Sequence, residues 1–494
     1  MIRTLLVVLV GGSIVSIAAY SGARALNPDL LNMLECTVSG CARAPTARAI
    51  PDARENISLA REIDRYFAPL VASNNFYGTV YVTRGGEVLA EAGYGFASIE
   101  LDVPNTGASV LPIASVSKPF TATAIMLLQQ RGLVDLKAPL SKILPDYPNG
   151  DRLSLHHLLL HTSGIPDINV QPAYVELSHA HRTPAELVAA FRDLPLLFEP
   201  GARFQYSNSN YNLLALVIER VSGMSYGDFV RREILEPLDL RNTGHPDRAD
   251  TIIPKLAAGY SPVGRAELAR APWIDWTVKT GNGSLYSTGA DLSKWARGFS
   301  KSDLLSRQTL ELATTPQLQN IGIDSMRGDL SYVWSIGRLL DRRKVWFAGR
   351  SPGFSAAISY FPEDDLAIVV LSNTYSLVTT QAADAIAAMV FGAPYARQEI
   401  SDAPLPVESV RRWVGTYQFG ERAPVPRMKM RVAEEHGRLT LEPDFAQMAP
   451  SALLPVADGT FIVRSYWLEL KFDAEPNAAA KALTLFGARA ERVE

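Results

Sequence analysis

The sequence predicts an α+β domain, an antiparallel sheet flanked by helices, followed by a small C-terminal antiparallel β-barrel or sandwich. Three observations carry this. Val80 to Val82 and Val88-Leu89 flank Gly85-Gly86, which predicts a hairpin near the start of the globular part. Ala356 to Tyr360 and Leu366 to Leu371 flank the turn Pro362-Glu363-Asp364-Asp365, a second hairpin some 270 residues later, with helix signals between the two. Beyond Gly392 the texture changes to short alternating runs separated by turns such as His436-Gly437 and Asp458-Gly459.

Taken in order, Arg3 and the apolar run Leu5 to Tyr20, ending in Ala23-Arg24-Ala25, read as a secretory signal or an uncleaved N-terminal anchor over residues 1–25. Either reading exports the rest of the chain, to a periplasmic or extracellular place, free or attached to the membrane through the N-terminus. Residues 26–55 read as a linker, in which Cys36 and Cys41 would form a local disulfide in an oxidising compartment or remain two free thiols. A helix follows, with Leu59, Ile63, Phe67 and Leu70 on one face. The first hairpin, a long helical region and the second hairpin come next, then a helix over Thr380 to Val390. Together these make one domain over 56–392, its sheet assembled from both ends. The Pro-rich stretch 393–407 reads as a linker and 408–494 as the second domain, so two separable folding units are expected. The strands expected there are Arg427 to Val432, Arg438 to Leu441, Phe461 to Val463, Trp467 to Phe472 and Ala482 to Phe486.

Composition narrows the function. With 47% hydrophobic and 20% charged residues, the chain is an ordinary globular protein rather than a disordered or fibrous one. Its 48 basic and 51 acidic residues are mixed, so no basic footprint exists for a nucleic-acid partner. Two Cys exclude Cys-based zinc sites and iron–sulfur clusters. His157 and His161 have the i,i+4 spacing of helical metal ligands, but no Glu lies between them and no third ligand follows. No metal and no organic cofactor is implied. The expected partner is a small-molecule or peptide substrate; oligomeric state stays open.

The chemistry-bearing residues begin at Ser115-Val116-Ser117-Lys118, which opens an apolar helical stretch closed by Gly132. Residues three apart share a helix face, so the Ser115 hydroxyl and the Lys118 amine can meet. A serine becomes a nucleophile when a base takes its proton, and a lysine is such a base only when burial or nearby cations lower its pKa. Taken alone, Ser-x-x-Lys also describes an ordinary helix with a solvated lysine. Tyr206-Ser207-Asn208 adds a phenol and an amide ahead of another helix; its bland alternative is a capping loop, with Ser207 or Asn208 as cap.

In family order, "ASVSKPFTA", "LLLHTSGIPD", "FEPGARFQYSNSNYNLLALVIERVSG", "ILEPLDLRNTG", "GNGSLYSTGADLSKW" and "SPGFSAAISYFPEDDLAIVVLSN" cover most of 56–392. By these stretches the chain resembles the β-lactamase-related serine hydrolases, the group of class C β-lactamases, D-alanyl-D-alanine peptidases and related esterases. The resemblance implies a β-lactamase/transpeptidase-like fold and an acyl-enzyme on Ser115. It implies Lys118 as the proton partner, Tyr206 as general base and Asn208 as a polar site residue. The family's third motif, Lys-Thr-Gly or His-x-Gly on the sheet edge, has two candidates. Lys279-Thr280-Gly281 spells it but lies too early, and is read as a decoy. An ungapped match puts Phe347-Ala348-Gly349 there, with Phe347 in place of the basic residue and lining an acyl pocket. The backbone N–H of Arg350 would then join that of Ser115 in an oxyanion hole. In a shifted register the Arg350 side chain would supply the missing cation.

The function expected is hydrolysis of an ester or amide, as esterase, peptidase, carboxypeptidase or β-lactamase. The alternative is a non-catalytic penicillin-binding sensor or binding scaffold on the same fold.

Overall fold

The computed structural model describes residues 54–494, apart from 249, 265, 302–303, 322–327, 397–403, 422–426, 445–449, 458, 476–477 and 486. It also describes an antiparallel strand pair, Leu5–Val10 with Ser13–Ala18. Cys36 and Cys41 lie outside the described residues, as does most of the expected signal and linker. No helix among the described residues is long and apolar enough to cross a membrane.

The main body is built on helix α1 (Arg54–Ala72) and the hairpin β1 (Gly78–Arg84) and β2 (Glu87–Tyr94). Helices α2 (Ser117–Gln130), α3 (Asn208–Ser222) and α4 (Gly289–Lys301) follow. Then come strands β3 (Leu318–Ile321), β4 (Gly328–Leu330), β5 (Ser335–Leu339), β6 (Arg342–Ser351), β7 (Phe354–Phe361) and β8 (Leu366–Ser372), and helix α5 (Val378–Val390). One antiparallel sheet runs β3-β4-β5-β6-β7-β8-β1-β2. Its two ends meet at β8–β1, where Leu366 faces Arg84 and Ser372 faces Gly78. The sheet is thus assembled from both ends of the domain, as expected.

Both faces of the sheet are covered, which is why β7 and β8 are buried at every position and show no alternation in sequence. Val345, Phe347, Ala356, Ile358 and Val369 point into a large core shared with α2, α3 and α4. Their neighbours Trp346, Ala348, Ala357, Ile368 and Val370 point to the opposite side, against α1 and α5. This alternation along β6 decides which residues can reach the site.

The C-terminal part is a closed eight-stranded antiparallel barrel spanning residues 415–492, in which Tyr417 pairs with Arg492 to join first strand to last. The five expected strands are present, and three more complete the closure: Gly415–Phe419, Ser451–Ala457 and Ala488–Arg492. Ser451–Ala457 was hard to read because Pro455 interrupts it; the proline sits at a register shift, where a missing ladder donor is tolerated.

The two expected domains are packed against each other through a shared core. Residues 44–494 form one compact unit, and the barrel's Leu454, Ile462 and Trp467 belong to the same apolar core as α1 and α5. Arg464 is the bolt. It is fully buried and donates to Asn75 Oδ1 at 3.0 Å and to the Glu267 carbonyl at 3.1 Å, as well as to Val263 O. Arg464→Ala removes these bonds, including the one to the buried Asn75 amide oxygen, and empties the space of a buried side chain, so thermal or denaturant unfolding should show a loss of about 3 kcal/mol or more. An unchanged melting temperature would count against a shared core.

Candidate active site

Ser115 sits in a 3-10 turn, Ala114–Val116, that runs directly into α2. Ala114 takes a left-handed φ of 49°, a conformation that a residue with a Cβ rarely adopts and that sets the angle at which Ser115 leaves the turn. Lys118 follows in the first helical turn. Its amine lies 3.1 Å from Ser115 Oγ, and the Tyr206 hydroxyl lies 3.0 Å from the same oxygen. The i,i+3 expectation therefore holds in space, and the phenol arrives from 91 residues away.

Tyr206 and Asn208 are placed by the start of α3. Ser207 is the N-cap residue by position, yet its side chain makes no cap; its N–H instead donates to His161 Nδ1 at 3.2 Å. Asp167 does the capping from a distance. Its carboxylate accepts from the Asn208 N–H at 3.1 Å and from Asn208 Nδ2 at 3.2 Å, meeting an otherwise unpaired donor at a helix N-terminus. The Asn208 side-chain oxygen, Oδ1, is thereby turned to Lys118, 2.9 Å from its amine. A chain of hydrogen bonds runs Asp167–Asn208–Lys118–Ser115–Tyr206.

A third wall is the tight turn at 279–283. The N–H groups of Asn282 and Gly283 both donate to Lys279 O, and the Asn282 carbonyl accepts from Lys118 at 2.7 Å. Gly281 holds this turn with φ +80°, and a Cβ there would lie 2.3 Å from Tyr211 O. Lys279-Thr280-Gly281 is thus not on the sheet, in keeping with its reading as a decoy for the sheet-edge motif. It nevertheless enters the site: Lys279 is buried beside it, with its amine 5.3 Å from the Tyr174 ring centroid.

The fourth wall is β6. A Cβ on Gly349 would lie 2.4 Å from the Ser115 nitrogen, so the strand passes as close to the serine as glycine permits. This closeness supports the ungapped register. Phe347 shares the Gly349 face, but its ring is buried in the large core rather than open to a pocket. The Arg350 side chain corrects an expectation: by strand alternation it leaves on the opposite face, with its guanidinium 5.4 Å from the Tyr375 ring centroid and 5.8 Å from that of Tyr466. It cannot be the substitute cation; only its backbone remains beside Ser115.

Burial sets the protonation states. Lys118 has no exposed surface, and desolvation first, then the nearby Lys279 charge, hold its amine well below the usual lysine range. Burial pushes the Tyr206 hydroxyl up, against a smaller opposing effect of its bond to Ser115. His161 stacks on Tyr206, ring centroids 4.5 Å apart, and burial holds it neutral. Asp167 is pushed up by burial, though its N–H donors and the two lysines counter this. Burial thus disfavours the charged forms of both the Lys118 amine and the Tyr206 phenol.

His157 and His161 do not share a helix face, because the helix Leu155–Leu159 ends before His161, which takes φ 56°. No cluster suited to a metal ion occurs among the described residues. A cavity of about 670 Å³ is lined by Tyr66, Leu70, Ala385, Leu454 and Trp467 and shares no residue with this site.

Sequence reading missed three contributors. Asp167 was visible only as the last letter of "HTSGIPD", His161 only as a metal candidate, and Lys279 only as a misplaced motif.

A buried helix headed by a serine between an amine and a phenol, set beneath an antiparallel sheet, defines the serine hydrolases of β-lactamase/transpeptidase fold. The chain belongs to the Beta-lactamase family, whose model matches residues 63–392. Penicillin-binding protein 4* of Bacillus subtilis (strain 168) is 28% identical over 450 residues, covering 85% of this chain and 95% of that protein. Two solved structures share the fold at 23% identity and a TM-score of 0.62. One is an octameric penicillin-binding protein homologue from Pyrococcus abyssi, covering 87% of this chain and 99% of that one. The other is D-amino acid amidase from Ochrobactrum anthropi SV3, covering 68% and 99%.

Proposed function

We propose that the chain is an exported serine hydrolase that cleaves an ester or amide through an acyl-enzyme on Ser115. One observation carries this: Ser115 Oγ lies within hydrogen-bonding distance of both Lys118 Nζ and Tyr206 OH, at 3.1 and 3.0 Å. Lys118 takes the hydroxyl proton as Oγ attacks the carbonyl carbon. The N–H groups of Ser115 and Arg350 receive the oxyanion; as it collapses, the bond from the carbonyl carbon to the leaving group breaks, Tyr206 protonates that group, and the proton held by Lys118 replaces the one Tyr206 gave up. Water then repeats the sequence on the acyl-enzyme. Export rests on Arg3 and the apolar run Leu5 to Tyr20; fractionation of the tagged full-length chain tests it, and retention in the cytosol would refute it.

The substrate proposed is a neutral ester or amide with an apolar acyl part. Phe347 offers neither charge nor donor at the third-motif position, and Arg350 is turned away. Val175 and Trp273, large and exposed, add apolar surface near Tyr174 and His179. A substrate carboxylate would lose its hydration with little in return. A fluorophosphonate should label Ser115, and the labelled acyl form made by a matched neutral ester should turn over. kcat/KM for that ester should exceed those for nitrocefin and a D-Ala-D-Ala peptide by roughly tenfold or more. A penicillin adduct on Ser115 that never turns over would favour the sensor instead.

A further inference from the structure

Lys118 is enclosed by groups from four segments: Ser115 ahead of α2; Tyr206, Asn208 and Tyr211 at the head of α3; His161 and Asp167; and Lys279 with the Asn282 carbonyl. Its three hydrogen-bond partners are all neutral oxygens. The tyrosines and His161 are neutral near pH 7, pushed that way by burial. Three ionisable groups remain: two amines, Lys118 and Lys279, and one carboxylate, Asp167.

Lys279 is 6% exposed and no carboxylate pairs with it directly among the described residues. Its neighbours are the Tyr174 ring and Gly283, where a Cβ would touch Lys279 Cδ at 3.4 Å and the Ala114 carbonyl carbon at 3.5 Å. The lysine stem is therefore one glycine away from the residue before Ser115. Two ammonium groups and one carboxylate in so dry a space leave one positive charge uncompensated, whereas one ammonium and one carboxylate balance.

We propose that Lys279 is a positioning residue for the proton at Lys118: it carries the ammonium that balances Asp167, so that Lys118 rests as the neutral amine that receives the Ser115 proton. The inference deepens the acyl-enzyme reading and rests on it for its consequence in catalysis. In the step concerned, the O–H bond of Ser115 breaks and its proton moves to Lys118 Nζ. Oγ bonds to the carbonyl carbon, and the carbonyl π pair becomes the oxyanion, so total charge is conserved. Lys118 becomes cationic only when an anion has formed beside it.

Lys118 can be titrated directly in the full chain by ¹³C-lysine NMR, its signal assigned as the one lost in Lys118→Arg. The wild-type midpoint should lie well below ~10.4. Lys279→Met should raise it by about one pH unit or more, and Lys279→Arg should leave it low. The acid limb of Ser115 labelling by a fluorophosphonate should move up equally in Lys279→Met, with labelling at pH 7 falling roughly tenfold and recovering above about pH 9. An unmoved Lys118 midpoint in Lys279→Met overturns the proposal. So does a loss confined to KM for carboxylate-bearing substrates, which would make Lys279 a substrate contact. If Lys279→Met does not fold, Asp167→Asn reads the opposite sign: the Lys118 midpoint must fall further, and a rise refutes the charge balance. A wild type that takes no label refutes the acyl-enzyme reading, while the NMR titration still decides the role of Lys279.

Discussion

Ser115→Ala is expected to abolish fluorophosphonate labelling and to lower hydrolysis of a short-chain aryl ester by about 10⁴-fold or more. The reason is that, among the described residues, no other hydroxyl occupies the point where Lys118 and Tyr206 converge; Ser117, two residues on, is turned away and accepts from the Leu285 N–H. Lys118→Ala and Tyr206→Phe should each cause severe losses, and adding either to Ser115→Ala should cost little more, since all three act on one proton path. Single-turnover kinetics on folded single and double mutants would measure this. Near wild-type turnover in Ser115→Ala would show that the site has been wrongly assigned.

Gly349→Ala should be nearly as damaging, for a steric reason. A Cβ there meets backbone, the Ser115 nitrogen at 2.4 Å and its Cα at 3.0 Å, so either β6 or the turn carrying Ser115 must shift. Relief by a side-chain rotation is not available. Displacing the serine and the N–H groups on either side of it should cost on the order of 10²–10³ in kcat, together with about 1–3 kcal/mol of stability. The discriminating measurement is the pair of effects: kcat should fall while KM for a neutral ester changes little. A variant with unaltered kcat would mean that β6 does not abut the nucleophile.

Ser115, Lys118, Tyr206 and Asn208 were legible as motifs, because helical spacing and a polar loop before a helix are local facts. Both hairpins, the mixed domain and the barrel strands were equally legible, since turn residues and apolar runs report local backbone preference. The closed barrel was less so: Ser451–Ala457 hides behind Pro455, and its place follows from neighbours on either side.

Sequence by itself determined which residues carry chemistry along one stretch of chain and which family's pattern they resemble. Tertiary structure alone decided the rest. Strand alternation sent the Arg350 side chain to the tyrosines of the far face and kept the Gly349 backbone on Ser115. Burial pushed the Lys118 amine down and the Tyr206 hydroxyl up, shifts that no spacing encodes. Packing brought Asp167 and Lys279, from segments over a hundred residues apart, near enough for their charges to act on Lys118. A charge interacts with whatever the fold sets beside it, and in a dry site that neighbourhood, rather than the motif, fixes where the proton rests.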